Sequence, residues 1–511
     1  MPVLMIGLSG ILLAARAAET NLYFKIRVVD GETGRGVPLV ELQTTAHQRF
    51  YTDSAGVVAF NEPGLMGHDV WFGVRSDGYE YPKDGFGNAG VRLQTGAGRS
   101  AEIKLKRVNI AERLYRITGA GIYRDTVLLG EPAPIAEPVL AGDVVGQDSS
   151  VPAVYHGQIH WFWGDTARPE YPLGHFHTAG ATSELPGQGG LPPAKGINLH
   201  YFTDTNGFSR GMAPLAASGA VWIDQPVVLT NAGREVMLTH YMRVKNLGTL
   251  DEHGLMIYDD GIEQFVKLRE LDLKEAWRHP AGPVFRWQET GASYFVFARP
   301  FATVRVKADW QSVTNPAAYE AFTFLAAGST ADHPVVARDE TGRVLWQWRT
   351  DGNPVSQKEE RDLLKNGRLK PDEARYQLTD AEDSQPVELH HASIHWNEFL
   401  KRWILIGVQT GGRSFLGEVW FAAADSPFGP WRQANRIVTH EKYSFYNPSQ
   451  LPFFDEADGR FIYFEGTYSS TFSGNDHPTP LYDYNQMLYR LDLADPRLSS
   501  SGAKPGGGKV H

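Results

Sequence analysis

The chain of 511 residues is 42% hydrophobic and 12% aromatic, with 13 Trp, enough material for a large core and for two or three domains. A formal net charge of −10 without a Lys/Arg run argues against nucleic acid or an anionic membrane as the main partner, because both need a basic footprint. The absence of cysteine removes disulfides, thiolate metal sites and cysteine nucleophiles.

Residues 1–18 are apolar over the length of a secretory h-region and end in an Ala-x-Ala pattern at Ala15 and Ala17. They predict a signal peptide, although no basic n-region precedes them; a short buried N-terminal helix is the alternative. No other stretch approaches the ~18 apolar residues of a membrane span, so the mature chain is expected to be soluble and secreted or periplasmic. Residues 22–108 alternate apolar and polar in short runs separated by Gly, Asp and Asn, which predicts a small antiparallel β-sandwich.

From residue 114 to 496 one unit repeats. In residues 148–166 a carboxylate, an alternating strand, a polar turn, an aromatic strand and a second carboxylate follow in order. The unit returns with altered ends at 279–299, 391–410 and 447–467, and a further unit starts near Trp222. Such repetition, without a helical period, predicts an all-β chain whose C-terminal part is a five-bladed β-propeller around a central channel. A third strand is expected at 198–203 in the first unit and at 417–424 in the fourth. Residues 114–117 and 125–129 are expected to be strands that complete the fifth blade, since closing the ring removes an exposed edge. The charged segment 355–376 predicts an inserted helix stopped by Gly367 and Pro371, either a lid or a solvated excursion. The tail 499–511, rich in Ser, Gly and Lys, is expected to be disordered.

Aligning the units places Asp148, His279, His391 and Asn447, with Asp224 in the second unit, at the starts of first strands, at one mouth of the channel. Ends of second strands add Asp165 and Glu465, and a third-strand start adds Glu418, which either pairs with an Arg such as Arg413 or faces the cleft. Tyr446, Tyr468 and Tyr484 cluster near these ends, as side chains on which sugar faces stack, while Arg299 and Arg305 are the nearby cations. Glycosidic cleavage needs one protonated and one ionised carboxyl group. A semi-buried Glu among aromatics is expected to carry the proton, and Asp148 beside Ser149 and Ser150 to stay ionised. Two alternatives use the same channel: a polysaccharide lyase acting on a uronate through His279, His391, Tyr446, Arg299 and Arg305, and a glycan-binding propeller without catalysis. A polysaccharide or oligosaccharide is the expected partner. No cofactor is required, and a divalent ion in the channel is an open option.

Two resemblances attach to these stretches. Residues 29–40, reading Val-Asp-Gly-Glu-Thr-Gly-Arg-Gly-Val-Pro-Leu-Val, with residues 51–60, resemble the carboxypeptidase-regulatory-like, transthyretin-like Ig-type modules of secreted bacterial enzymes, which implies an accessory module without chemistry. The Asp at the first unit, the late Phe-Glu-Gly and residues 417–431, reading Gly-Glu-Val-Trp-Phe-Ala-Ala-Ala-Asp-Ser-Pro-Phe-Gly-Pro-Trp, resemble the five-bladed glycoside hydrolases such as families 43, 32 and 117. That resemblance implies Asp148 as base or nucleophile, Asp224 or Asp165 as the auxiliary carboxylate, and Glu418 or Glu465 as the acid. The chain departs from the pattern in having no Trp-x-Asp-Pro or Arg-Asp-Pro motif.

Overall fold

The first alternating runs pair into two four-stranded sheets. One contains Phe24–Asp30, Val57–Phe60, Tyr79–Glu80 and Ser100–Arg107; the other contains Glu41–Thr44, Arg49–Tyr51, Asp69–Arg75 and Gly90–Gln94. Period-2 alternation sends Ile26, Val28, Phe60, Phe72, Val74 and Leu105 into a common core between them. The structure, a computed structural model, describes residues 22–501 apart from 176, 247–248, 330–332 and 476. The expected signal peptide and the tail beyond 501 lie outside the described residues, and the tail's first residues belong to a 3-10 turn, Pro496–Ser501. The chain is all-β, with strands far outnumbering short helices. Among the described residues no helix is long and apolar enough to cross a membrane.

Six further sheets follow: a three-stranded one of Gly146–Gln147, Thr166–Arg168 and Tyr171–His175, and five larger ones here numbered I to V in chain order. Sheet I holds Ala153–Tyr155, Gln158–Trp163, Ala179–Glu184 and His200–Tyr201. Its third strand is therefore Ala179–Glu184, where the sequence pattern suggested 198–203; the small residues Ala179, Gly180 and Ala181 pair with Trp163, Phe162 and Trp161 and leave room for those rings. Sheet II starts with Ala220–Ile223 and is dominated by Arg234–Asn246 and Thr249–Asp259. Sheet III starts with Val284–Glu289 and Ala292–Ala298, and sheet IV carries Leu378–Asp380 and Pro386–Val387 ahead of Leu389–Asn397 and Arg402–Gln409. Sheet V holds Ser444–Gln450, Phe461–Ser469, Asn485–Asp492 and, as its last strand, Glu112–Arg116 from far upstream.

Apolar clusters join each sheet to the next. Phe162 of sheet I packs with Val221 and Met237 of sheet II, and Leu238 of sheet II with Phe295 and Phe297 of sheet III. Val296 of sheet III meets Leu405 and Trp420 of sheet IV, and Ile406 and Phe421 of sheet IV meet Phe464 and Tyr489 of sheet V. Tyr463 and Leu488 of sheet V pack with Ile159 and Trp161 of sheet I, so the contacts run in a circle.

One further expected element differs, and the charged insertion keeps its expected helix. Residues 125–129 fall in a short helix, Arg124–Leu128, rather than a strand. Tertiary bonds override the β-branched pattern there: Asp125 Oδ1 accepts the N–H of Ala59, and Asp53 Oδ2 accepts both the N–H and the hydroxyl of Thr126. The charged insertion forms the helix Gln357–Lys365, started by a Ser356/Glu359 capping box. Its buried Glu360 accepts the N–H groups of Arg375 and Tyr376 at 2.5 and 2.8 Å, which pins the helix to its own return loop rather than over the channel.

Candidate active site

All five sheets line one cavity of about 580 Å³. Asp148, Ser149 and Ser150 lead into the first strand of sheet I, and Gly164 and Asp165 leave its second. Sheet II supplies Trp222 and Asp224, sheet III Gly282 and Arg299, sheet IV His391, and sheet V Tyr446 and Asn447. A smaller cavity of about 260 Å³ shares Gln225, Pro283 and Ser449 with it, so a passage continues between the sheets.

Asp148 is the most constrained group. Its Oδ1 accepts the N–H of Asp165 at 2.9 Å and its Oδ2 the hydroxyl of Tyr446 at 2.9 Å. Gly164 permits this approach, because a Cβ there would lie 2.2 Å from Asp148 Oδ1. Burial, then the charge of Asp165, pushes Asp148 up to about 7 against the pull of the Tyr484 and Tyr446 hydroxyls and the Asp165 N–H. The expectation that Asp148 stays ionised because Ser149 and Ser150 solvate it is therefore corrected: both serines line the cavity, but neither hydroxyl bonds the carboxyl group, and Ser149 Oγ instead accepts from Asn447 Nδ2 at 2.9 Å.

The loop around Asp148 is strained. Ser149, Asn447 and Tyr484 hold φ values of +52°, +51° and +60°, a left-handed conformation that costs non-glycine residues roughly 1–3 kcal/mol each. Hydrogen bonds hold it: Ser149 N–H donates to Thr467 Oγ1 at 3.0 Å, and Gln486 Nε2 donates to the same Oγ1 at 2.9 Å and to Gln147 O at 3.2 Å. Such strain clusters where position matters more than local stability.

The neighbouring carboxyls are also displaced. Asp165 is raised by burial while its Oδ1 accepts Trp222 Nε1–H at 2.8 Å. Asp224 is raised by burial to about 6, held back by the Arg299 charge and the Gly282 N–H. His391 is pulled down to about 3 by burial and by Arg299 and His390, so it lines the cavity as a neutral imidazole at ordinary pH. Among the described lining residues Arg299 is the one cation, facing Asp148, Asp165, Asp224 and Asp483.

Five residues singled out in the sequence do not reach this cavity. Glu418 is buried and turned to the backbone: Oε2 accepts the N–H of Arg413 at 2.8 Å and Oε1 the hydroxyl of Thr439 at 2.9 Å. It takes the amide of Arg413, not its guanidinium, so one of the two expected acid candidates is a loop anchor. Glu465 lies on sheet V outside the cavity lining, 1% exposed, and burial pushes it up to about 8 against a weak pull from the nearby Ser150 hydroxyl. His279 stacks on His253 with ring centroids 3.3 Å apart and lies 5.3 Å from His240, held neutral by burial. Arg305 is tied to Glu289 and Glu320 and sandwiched between the rings of Tyr294 and Trp348. Tyr468 is buried against Tyr443, centroids 3.9 Å apart. Among the described residues no group of three or more His, Asp or Glu is arranged to hold a metal ion.

Trp222, Gly164 and Asp483 were not anticipated. A signal for Trp222 exists: it stands two residues before Asp224, hence on the same strand face. Gly164 follows an aromatic strand and precedes Asp165, where a missing Cβ marks close approach.

No family model matches this chain, and no curated protein does. Among solved structures, the fold is similar to an exo-β-1,3-galactanase from Phanerochaete chrysosporium crystallised with β-1,3-galactotriose, at 11% identity and TM-score 0.34, covering 70% of this chain and 64% of that one. It is similar to an exo-1,5-α-L-arabinanase from a bovine ruminal metagenomic library at 10% identity and TM-score 0.35, covering 68% and 94%. A GH43_1 enzyme from Xanthomonas citri complexed with xylotriose matches at 11% identity and TM-score 0.33, covering 69% and 87%. At these scores the likeness carries no weight for the chemistry, which rests on the cavity alone.

Proposed function

We propose that this chain is an exported glycoside hydrolase, that sheets I to V are the five blades of a propeller, and that Asp148 and Asp224 form its acid–base pair. The N-terminal two-sheet unit is read as an accessory module of the transthyretin-like type. The observation that carries the reading is the fixed, proton-holding carboxyl of Asp148, clamped by Tyr446 and the Asp165 amide at the mouth of the five-sheet cavity.

Glycosidic cleavage requires one carboxyl to give a proton to the leaving oxygen and another, ionised, to act on the anomeric side. Asp148 titrates near 7 and Asp224 near 6, so between those values the pair holds one proton. That is the mixed state the reaction needs. Asp165 keeps Asp148 protonated by its negative charge and positions it through its amide. Trp222 offers an indole beside the carboxyls for stacking against a sugar face, and Asn447, Tyr484 and Arg299 offer hydrogen bonds to hydroxyls. The lyase alternative keeps His391, Tyr446 and Arg299 in the cavity but loses two of its five components, since His279 and Arg305 are spent on other contacts. In the mixed state the ionised Asp224 offsets Arg299, the one described cation of the lining, which leaves no surplus positive charge to neutralise a uronate.

The test is a digest of neutral and uronate-containing polysaccharides, read for reducing ends and for ultraviolet absorbance of unsaturated uronate. Reducing ends without absorbance are expected. Absorbance together with reducing ends would install the lyase, and silence across arabinan, xylan and galactan would leave a glycan-binding propeller.

A further inference from the structure

A second recess lies outside the catalytic cavity, at the seam between the N-terminal sandwich and sheet V. It encloses about 300 Å³, the lower end of the range for small-ligand sites. One wall is Glu41, Arg49, Tyr51, Arg75 and Asp77 of the sandwich; the other includes Glu441, Lys442 and Tyr443.

The seam is built rather than left over. Tyr482 bridges it at the base, its hydroxyl donating to Thr52 O at 2.6 Å and accepting the Leu39 N–H at 3.2 Å. Arg113 reaches across from sheet V to Pro38 O at 3.1 Å and Ser76 Oγ at 2.5 Å. These bonds fix the walls but do not fill the space between them.

Three cations and three carboxyls face this recess, so its charge is balanced and its donors and acceptors are interleaved. A polyanion gains little there, whereas a sugar, whose hydroxyls both donate and accept, matches such a surface. The Tyr51 ring is partly exposed, and its hydroxyl is fixed on Glu41 Oε2 at 2.7 Å, so the ring presents a stable face. A loose ion pair joins the two walls: Arg75 and Glu441 sit 4.0 Å apart with side chains 64% and 70% exposed. An exposed pair of this kind contributes little and opens at small cost.

The recess also touches the catalytic cavity through one side chain. Tyr443 lines the recess, and its hydroxyl donates to Asp483 Oδ1 at 2.7 Å; Asp483 lines the catalytic cavity.

We propose that this seam is a second saccharide-binding site, formed jointly by the sandwich and sheet V, that takes a neutral sugar of the glycan bound in the catalytic cavity. The proposal rests on the reading of the chain as glycan-active. On this account the sandwich holds substrate rather than spacing the propeller.

The experiment is calorimetric titration of the full chain carrying Asp148→Asn, with xylotriose, arabinotriose and β-1,3-galactotriose as probes. The same titration is run with Arg49→Ala and Arg75→Ala added. Both arginines are surface side chains, so melting temperature should hold within error and report any folding defect. Two sites are expected for at least one probe, falling to one with the double substitution, and Arg75→Lys alone should retain two. A single site with every probe, no binding at all, or a count of two unaltered by the double substitution would overturn the proposal. Failure of the hydrolase reading is separate: the wild type would release no reducing ends while the seam still bound sugar.

Discussion

Gly164→Ala isolates the placement of Asp148 from its chemistry. No carboxyl is removed, and the backbone at Gly164 is not in the left-handed region that excludes Ala. The new Cβ would stand 2.2 Å from Asp148 Oδ1, where ordinary contact begins at 3.4 Å. The difference, 3.4 − 2.2 = 1.2 Å, must be taken up mainly by the Asp148 side chain, which cannot move so far and keep 2.9 Å bonds to both the Asp165 N–H and the Tyr446 hydroxyl. A misplacement of about 1 Å costs roughly 100-fold in rate, and loosening two hydrogen bonds to the carboxyl costs about 1–3 kcal/mol of local stability. Initial rates on the best polysaccharide of the digest panel, with melting curves alongside, measure both. A fall of about 100-fold in kcat/KM with the fold intact is expected. Wild-type kcat/KM in G164A would refute the claim that Asp148 must sit where Gly164 lets it.

Further outcomes follow from the same geometry. The pH profile of kcat/KM should be a bell with limbs near 6 and 7, set by Asp224 and Asp148; a rate rising steadily from pH 5 to 9 would exclude a carboxyl proton donor. Glu465 holds its proton to about 8 when folded but only to about 4.3 when unfolded. The folded state therefore binds the extra proton between those values, and stability falls as pH rises through that window. Glu465→Gln should remove this slope and melt higher than wild type at pH 8, and parallel melting curves from pH 5 to 8 would contradict it. Glu418→Gln should leave kcat unchanged and lower stability by about 1–2 kcal/mol, since its amide meets the Arg413 N–H and Thr439 together only if the Thr439 hydroxyl turns from donor to acceptor; loss of turnover with stability intact would return Glu418 to the chemistry.

Alternation made strands legible because each β-face carries its own chemistry: Ile26 and Val28 point to one core, and Trp161 and Trp163 to another. Repetition of the hairpin also made strand starts legible, which is how Asp148, His391 and Asn447 come to be named together and to line one cavity. Burial direction was not legible. Glu418 and Glu465 both stand in apolar strands, but whether a buried carboxyl meets a channel, a folded-back loop or neither depends on connections far away in sequence. The return loop that brings the Arg413 amide to Glu418 carries no pattern of its own. His279 missed the cavity because His253, from another sheet, offers it a stacking partner. Residues 125–129 read as strand from Thr126 and Val127, yet Asp53 and Ala59 of the N-terminal sheets capture most of them in the helix Arg124–Leu128, a long-range contact that outweighs propensity.

The central claim is tested most directly by reducing-end release from the preferred polysaccharide by wild type and Asp148→Asn, with glycan binding measured on both. Asn keeps the size and most hydrogen-bonding capacity of the side chain but cannot exchange the proton. Release should fall by at least about 100-fold while binding is retained. Asp148→Asn turning over like wild type would contradict the account and take the chemistry out of this cavity wall.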